Sequence, residues 1–92
     1  MAVWVPFTPD EVLKAMPAFI VTRYQAWIVS IPAKQGRLAE IVAEVRTIFR
    51  EAVRANPANV LDPAADTVPA AGLHYAVDMA AYTLIVEMGA LQ

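Results

Sequence analysis

The stretch from Arg37 to Arg54, RLAEIVAEVRTIFREAVR, decides the fold. Its apolar residues fall at Leu38, Ile41, Val42, Val45, Ile48, Phe49, Ala52 and Val53. Residues three and four apart share one side of an α-helix, so this spacing predicts an amphipathic helix of about five turns. A helix that buries one stripe needs other elements to cover it. The flanking segments read as helical too, so the expected fold is all-α, a small bundle of three to four helices with a long proline-rich loop before the last one.

The charges of this helix are segregated. With Leu38 at 0°, Arg46, Arg50 and Arg54 lie at about 80°, 120° and 160°, and Glu40, Glu51 and Glu44 at about 200°, 220° and 240°. A basic flank and an acidic flank thus border the core stripe on opposite sides. Two readings follow. Both flanks are solvated, or the basic flank of one subunit meets the acidic flank of the next in a head-to-tail interface that can close into a ring. Exposed ion pairs add little energy, so such an interface would set orientation more than stability.

Toward the N-terminus, residues 18–31 are ambiguous. Ile20, Tyr24, Trp27, Ile28 and Ile31 share a helical face, while the β-branched content would also suit a strand. Fourteen residues without a turn signal are long for a strand. A helix that Pro32 ends is therefore expected, followed by a short connection over residues 33–36. Before it, Thr8-Pro9-Asp10-Glu11 reads as a helix start, with Thr8 as cap, Pro9 in the first helical position and Glu11 completing a capping box. Phe7 and Val12 have the spacing of a hydrophobic staple, and Pro17 makes this first helix short. Residues 1–8 are expected to be an extended arm, with Trp4 and Phe7 available to dock on a partner.

Toward the C-terminus, residues 55–69, ANPANVLDPAADTVP, carry three prolines, two asparagines and two aspartates. That composition predicts a loop rather than a strand. Val60 and Leu61 are its candidate anchors, and its length suits contact with a partner. Pro69 opens the last helix, residues 70–88, and Gly89 stops it. Leu73, Val77, Ala80, Leu84 and Met88 form one face; Tyr75, Met79, Tyr82 and Val86 form another, roughly opposite. A helix with two apolar faces is expected to lie between two layers, its own domain and a neighbour.

Composition points the same way. The 92 residues, a single domain over 1–92, are 59% hydrophobic and 17% charged, against roughly 45–50% and about 25% in ordinary globular domains. A chain this short buries a limited share of its surface, so a second surface should cover the excess. The net charge of −2 gives no overall pull toward nucleic acid or anionic membrane. There is no cysteine, hence no disulfide and no thiolate metal site. MAVWVPFTPDE lacks the basic and apolar regions of a secretory signal. A membrane span is not expected either: residues 18–31 are too few, and residues 70–91 would place His74, Asp78 and Glu87 in lipid.

Chemistry-bearing residues are sparse. His74 is the single histidine and lies one turn from Asp78, a pair that could orient an imidazole but has no cysteine beside it and Ser30 as the sole serine. One histidine with scattered carboxylates does not make a metal site. The glycines are isolated and make no phosphate-binding loop. No catalytic, cofactor-binding or metal-binding residue is therefore expected. Arg46, Arg50 and Arg54 leave open a small helical DNA-binding domain, terminase-like or regulatory, and a generic partner-binding module is a further alternative.

The order of elements resembles the small head–tail connector, or adaptor, proteins of tailed bacteriophages. The likeness lies in WVPFTPDEVLKA, IVAEVRTIFREAV, NPANVLDPAADTVP and AVDMAAYTLIVEM, and covers most of the chain. It implies a helical bundle in the virion neck, assembled as a homo-oligomeric ring, usually twelvefold, between the portal protein and the stopper or tail proteins. DNA would pass through the channel without sequence-specific binding. In that setting the lateral interface would use Glu40, Glu44, Glu51, Arg46, Arg50, Arg54, Tyr75, Met79, Tyr82 and Val86. Trp4, Phe7, Val60 and Leu61 would serve axial docking.

Overall fold

The computed structural model describes residues 3–55, 63–64 and 66–89. Among them are four α-helices and one small antiparallel ribbon: β1 (Trp4–Pro6), α1 (Pro9–Ala15), α2 (Ala18–Ser30), α3 (Arg37–Arg54), β2 (Thr67–Pro69) and α4 (Leu73–Met88). Single 3-10 turns, Pro32–Lys34 and Ala70–Gly72, lead into α3 and α4. The chain is an all-α bundle with a short ribbon clipped to one side.

The central helix spans the residues its periodicity marks out, and Leu38, Ile41, Val42 and Val45 are buried along it. The stripe leaves the core in the last turns, where Ile48 is exposed and Phe49 only partly buried. Residues 18–30 are helical, and the helix ends at Ile31 before Pro32, which cannot donate a backbone hydrogen bond. α4 packs chiefly on α3 and α1, and more lightly on α2. Its Ala76, Val77, Ala80 and Leu84 meet Val12, Met16, Ile20, Tyr24 and the α3 stripe in one core. Gly89 closes α4 with φ 72°, a left-handed conformation that a side chain would disfavour.

Three expectations need correction. The end of the proline-rich segment is not loop, and the extended arm is its strand partner. Trp4–Pro6 and Thr67–Pro69 pair antiparallel, with Val5 opposite Val68. β-branched Thr67 and Val68 are both buried there, and that burial outweighs the turn chemistry around them. Pro6 and Pro69 lack an N–H, which keeps the ladder short, and it is extended at its ends by Phe7 N to Asp66 O (2.9 Å) and Ala70 N to Val3 O (2.7 Å). The last α-helix begins at Leu73, not at Ala70; Pro69 caps the 3-10 turn that precedes it. Thr8 is the N-cap of α1 with Pro9 next to it, yet no side-chain cap bond forms; the backbone N–H of Glu11 bonds the Thr8 carbonyl instead. Phe7 and Val12, the staple pair, are both fully buried in the core.

The body measures 46 × 23 × 21 Å with a radius of gyration of 14.3 Å, above the ~12 Å of a compact domain of this length. Its accessible surface is 5785 Å², against about 5,200 Å² for a compact monomer of this mass. An elongated body hides less of a strongly apolar composition. Phe19, Val29, Ile48, Tyr75, Tyr82 and Val86 accordingly lie in the solvent.

Candidate interaction surfaces

The basic flank of α3 turns inward on its own chain. Arg46 donates through Nε (2.8 Å) and Nη2 to the carbonyl of Phe7. Arg50 Nη1 donates to the carbonyls of Ala64 and Thr67 (3.1 Å each) and to Thr67 Oγ1 (3.2 Å). Its guanidinium also sits 5.1 Å from the centre of the Trp4 ring, a cation–π contact. Thr67 Oγ1 in turn donates to Ala64 O at 2.7 Å, which satisfies a buried hydroxyl. Arg54 pairs with Glu51 one turn away at 2.8 Å. Arg46 and Arg50 therefore clasp the β1–β2 ribbon to α3 within the chain. A guanidinium fork reaches a carbonyl in a neighbouring segment more readily than it waits for a distant carboxylate.

Glu40 and Glu44 of the acidic flank are gathered by a residue the periodicity did not single out. Arg37 lies 2.9 Å from Glu87, 3.3 Å from Glu44 and 3.9 Å from Glu40. Its Nε bonds both carboxylate oxygens of Glu87 and ties the start of α3 to the end of α4. The Glu87 hydrogen bond, against a smaller desolvation and helped by Glu44, holds the guanidinium above its ordinary pKa. Only the position of Arg37 at the N-terminus of a helix, beside Glu40 and Glu44, signals this role in the sequence. Its partner across fifty residues does not show there.

The docking candidates divide. Phe7 is fully buried, so it is a core residue and not a docking one; the staple with Val12 claims it. Trp4 is half-buried beneath Arg50. Val60 and Leu61 lie outside the described residues. His74 Nε2 meets Asp78 Oδ2 at 3.2 Å with both side chains largely in solvent, and His74 borders an open depression with Glu11, Lys14, Leu73 and Val77. Among the described residues no group of three or more acidic or imidazole side chains could hold a metal ion, and no helix is long and apolar enough to cross a membrane.

The second face of α4 is bare. Tyr75 is 66% exposed, Tyr82 64%, Val86 48% and Met79 39%, while Ala76, Ala80 and Leu84 on the other side of the same helix are fully buried. A second bare strip lies on α2, where Phe19 (67%) and Val29 (76%) face away from Ile20 and Tyr24. It follows from the α2 periodicity, as the residues left over once the buried face is drawn. Compared with known protein families, characterised proteins and solved structures, the chain matches none.

Proposed function

We propose that this chain is a virion structural subunit, a head–tail connector or adaptor. It forms a homo-oligomeric ring between the portal and the tail or stopper of a tailed bacteriophage and lines the DNA channel. The observation that carries the reading is the bare Tyr75–Met79–Tyr82–Val86 face, set opposite a fully buried face of the same helix. Tyrosine and methionine surfaces of this kind are typical of subunit contacts, where rings supply area and phenols supply hydrogen bonds. The resemblance in element order supplies the phage setting. Of the arginines that would favour a DNA-binding domain, Arg46 and Arg50 are engaged with the chain's own carbonyls and Arg54 pairs with Glu51, which leaves that alternative less support.

The test is co-sedimentation of the purified chain with the portal ring encoded beside it, followed by electron microscopy of the pellet. An added ring at fixed stoichiometry supports the reading. A chain that leaves the portal bare and retards DNA in a salt-dependent manner overturns it.

A further inference from the structure

The bare surface of this chain falls into two strips of matching pitch. On α4, Tyr75, Met79, Tyr82 and Val86 follow one another at intervals of four, three and four; on α2, Phe19, Thr22, Ala26 and Val29 follow at three, four and three. All eight residues are exposed. Alternating intervals of three and four keep side chains in line along a helix, the spacing by which one helix packs on another.

The strips differ in shape and charge. The α4 strip is bulky. The α2 strip is small at its middle and opens beside Ala26 into a groove of about 290 Å³ lined by Arg23, Ala26, Trp27, Ser30 and Met88. That volume is at the small end for a ligand site, which spans roughly 300–1,000 Å³, and suits a single side chain. Its Trp27 wall is braced, with the Tyr24 ring 6.5 Å away and Lys34 Nζ 5.8 Å from the ring centre. The one charged residue of α2 is Arg23, whereas α4 carries the exposed carboxylate of Asp78 one turn before Tyr82, beside His74; Glu87, farther round the helix, is held by Arg37. A bulky strip beside a carboxylate complements a hollow strip beside a guanidinium. Two copies of either strip do not complement each other.

We infer that the occupant is a second copy of this chain: the α4 strip of one copy packs along α2 of the next, with Tyr82 seated in the groove. This deepens the assembly reading above, on which it rests, by giving the contact a direction. Tyr82 is the anchor because it makes no hydrogen bond or ring contact among the described residues, while the Tyr75 ring leans edge-on against His74 at 5.7 Å. An aromatic anchor in a pocket flanked by arginine has the composition of an interface hot spot. The contact is heterologous. Met88, in the groove, lies about 150° around α4 from the middle of the strip at 100° per residue. A copy therefore cannot fill its own groove and can offer strip and groove at once, the condition for a ring or filament. The area is small. A tyrosine buries about 150–250 Å², and a standard interface needs about 800 Å² per partner. A single contact is accordingly weak, and ring closure, which holds every copy twice, stabilises it by multivalency.

The chain contains no cysteine, which permits disulfide trapping. Ser30→Cys supplies one partner; Met79→Cys or Val86→Cys, one turn either side of Tyr82, supplies the other. All three sites are exposed, so the substitutions are expected to leave the fold intact. On oxidation, the double variant Ser30→Cys with Met79→Cys or Val86→Cys gives a ladder of covalent oligomers. Mixed single variants stop at a heterodimer, and adding Tyr82→Asp to the double variant removes most of the ladder. A homodimer trapped by the Met79→Cys or Val86→Cys variant alone means that strip meets strip, and overturns the inference. Absence of a ladder while the unmodified chain still forms rings on the portal overturns the contact but not the assembly; absence of both overturns the two together.

Discussion

Arg46 reaches from the middle of α3 to the carbonyl oxygen of Phe7, 39 residues earlier, and donates to it through two nitrogens. The Phe7 side chain is fully buried while its carbonyl stands where β1 has ended, so without Arg46 that oxygen has a donor neither in the ribbon nor in α1. The bond fixes the path of the chain from ribbon to first helix. Hydrogen bonds to a charged donor contribute about 1.5–3 kcal/mol. Arg46→Ala is expected to lower unfolding stability by about that amount in urea titration. Arg46→Lys should recover little, because an ammonium cannot present two parallel donors. Stability unchanged in Arg46→Ala would show that the clasp contributes nothing.

Gly72 and Phe49 form a second long-range constraint. A Cβ at Gly72 would lie 2.9 Å from Phe49 Cε2 and 3.1 Å from Cδ2, whereas one at Gly36 would meet nothing within 4 Å. Overpacking of this kind costs about 1–3 kcal/mol. Gly72→Ala is expected to lose stability in that range and to regain part of it when combined with Phe49→Leu. Gly36→Ala should stay within about 0.5 kcal/mol of the parent, as surface substitutions do. Equal effects at the two glycines, measured by denaturant midpoint, would contradict the close approach.

Burial sets the alkaline behaviour of one tyrosine. Tyr24 is in the core, and desolvation raises its pKa above 10.0. A raised folded value means the proton is held more tightly in the fold than in the unfolded chain. The associated stability is present below about pH 10 and is lost as pH rises through the folded value. Tyr24→Phe is expected to flatten the fall in stability above pH 10 and to remove one component of the phenolate absorbance titration. Persistence of that component in the variant would assign it elsewhere.

How far the sequence could be read depended on how local the physics was. α3 is legible to its end residues because one period runs through eighteen of them. The break at Pro17, the end of α2 before Pro32 and the stop at Gly89 are legible because proline and glycine act on their own backbone. The ribbon is not. Trp4–Pro6 and Thr67–Pro69 are three residues each, too short for an alternation, and they pair across most of the chain. The arginine flank was visible as a flank, but its destination was not. A wheel shows the direction in which Arg46 and Arg50 leave α3, and only the ribbon's position shows that they end on Phe7 and Thr67. The bare face of α4 was legible because amphipathicity marks an apolar side whether or not something covers it. The groove on α2 was not, since it needs Met88 from another helix beside Arg23 and Trp27.

The same helix offers a test that separates folding from assembly. Leu84 and Tyr82 are two residues apart on α4, one fully buried and the other 64% exposed. Leu84→Ala removes core volume and is expected to cost about 2–5 kcal/mol of monomer stability. Tyr82→Ser removes no buried contact, so its unfolding midpoint should stay close to the parent, within about 0.5 kcal/mol. Assembly should respond in the opposite order. At temperatures where both variants are folded, Leu84→Ala retains the bare strip and forms rings, while Tyr82→Ser loses the anchor and stays dispersed. Hot-spot aromatics cost at least about 2 kcal/mol on truncation, roughly thirtyfold in each contact. Ring formation needs every contact, so the loss should appear as a shift of the assembly concentration by more than that factor in analytical ultracentrifugation. A Tyr82→Ser chain that assembles at the parent concentration would move the interface off this face of α4.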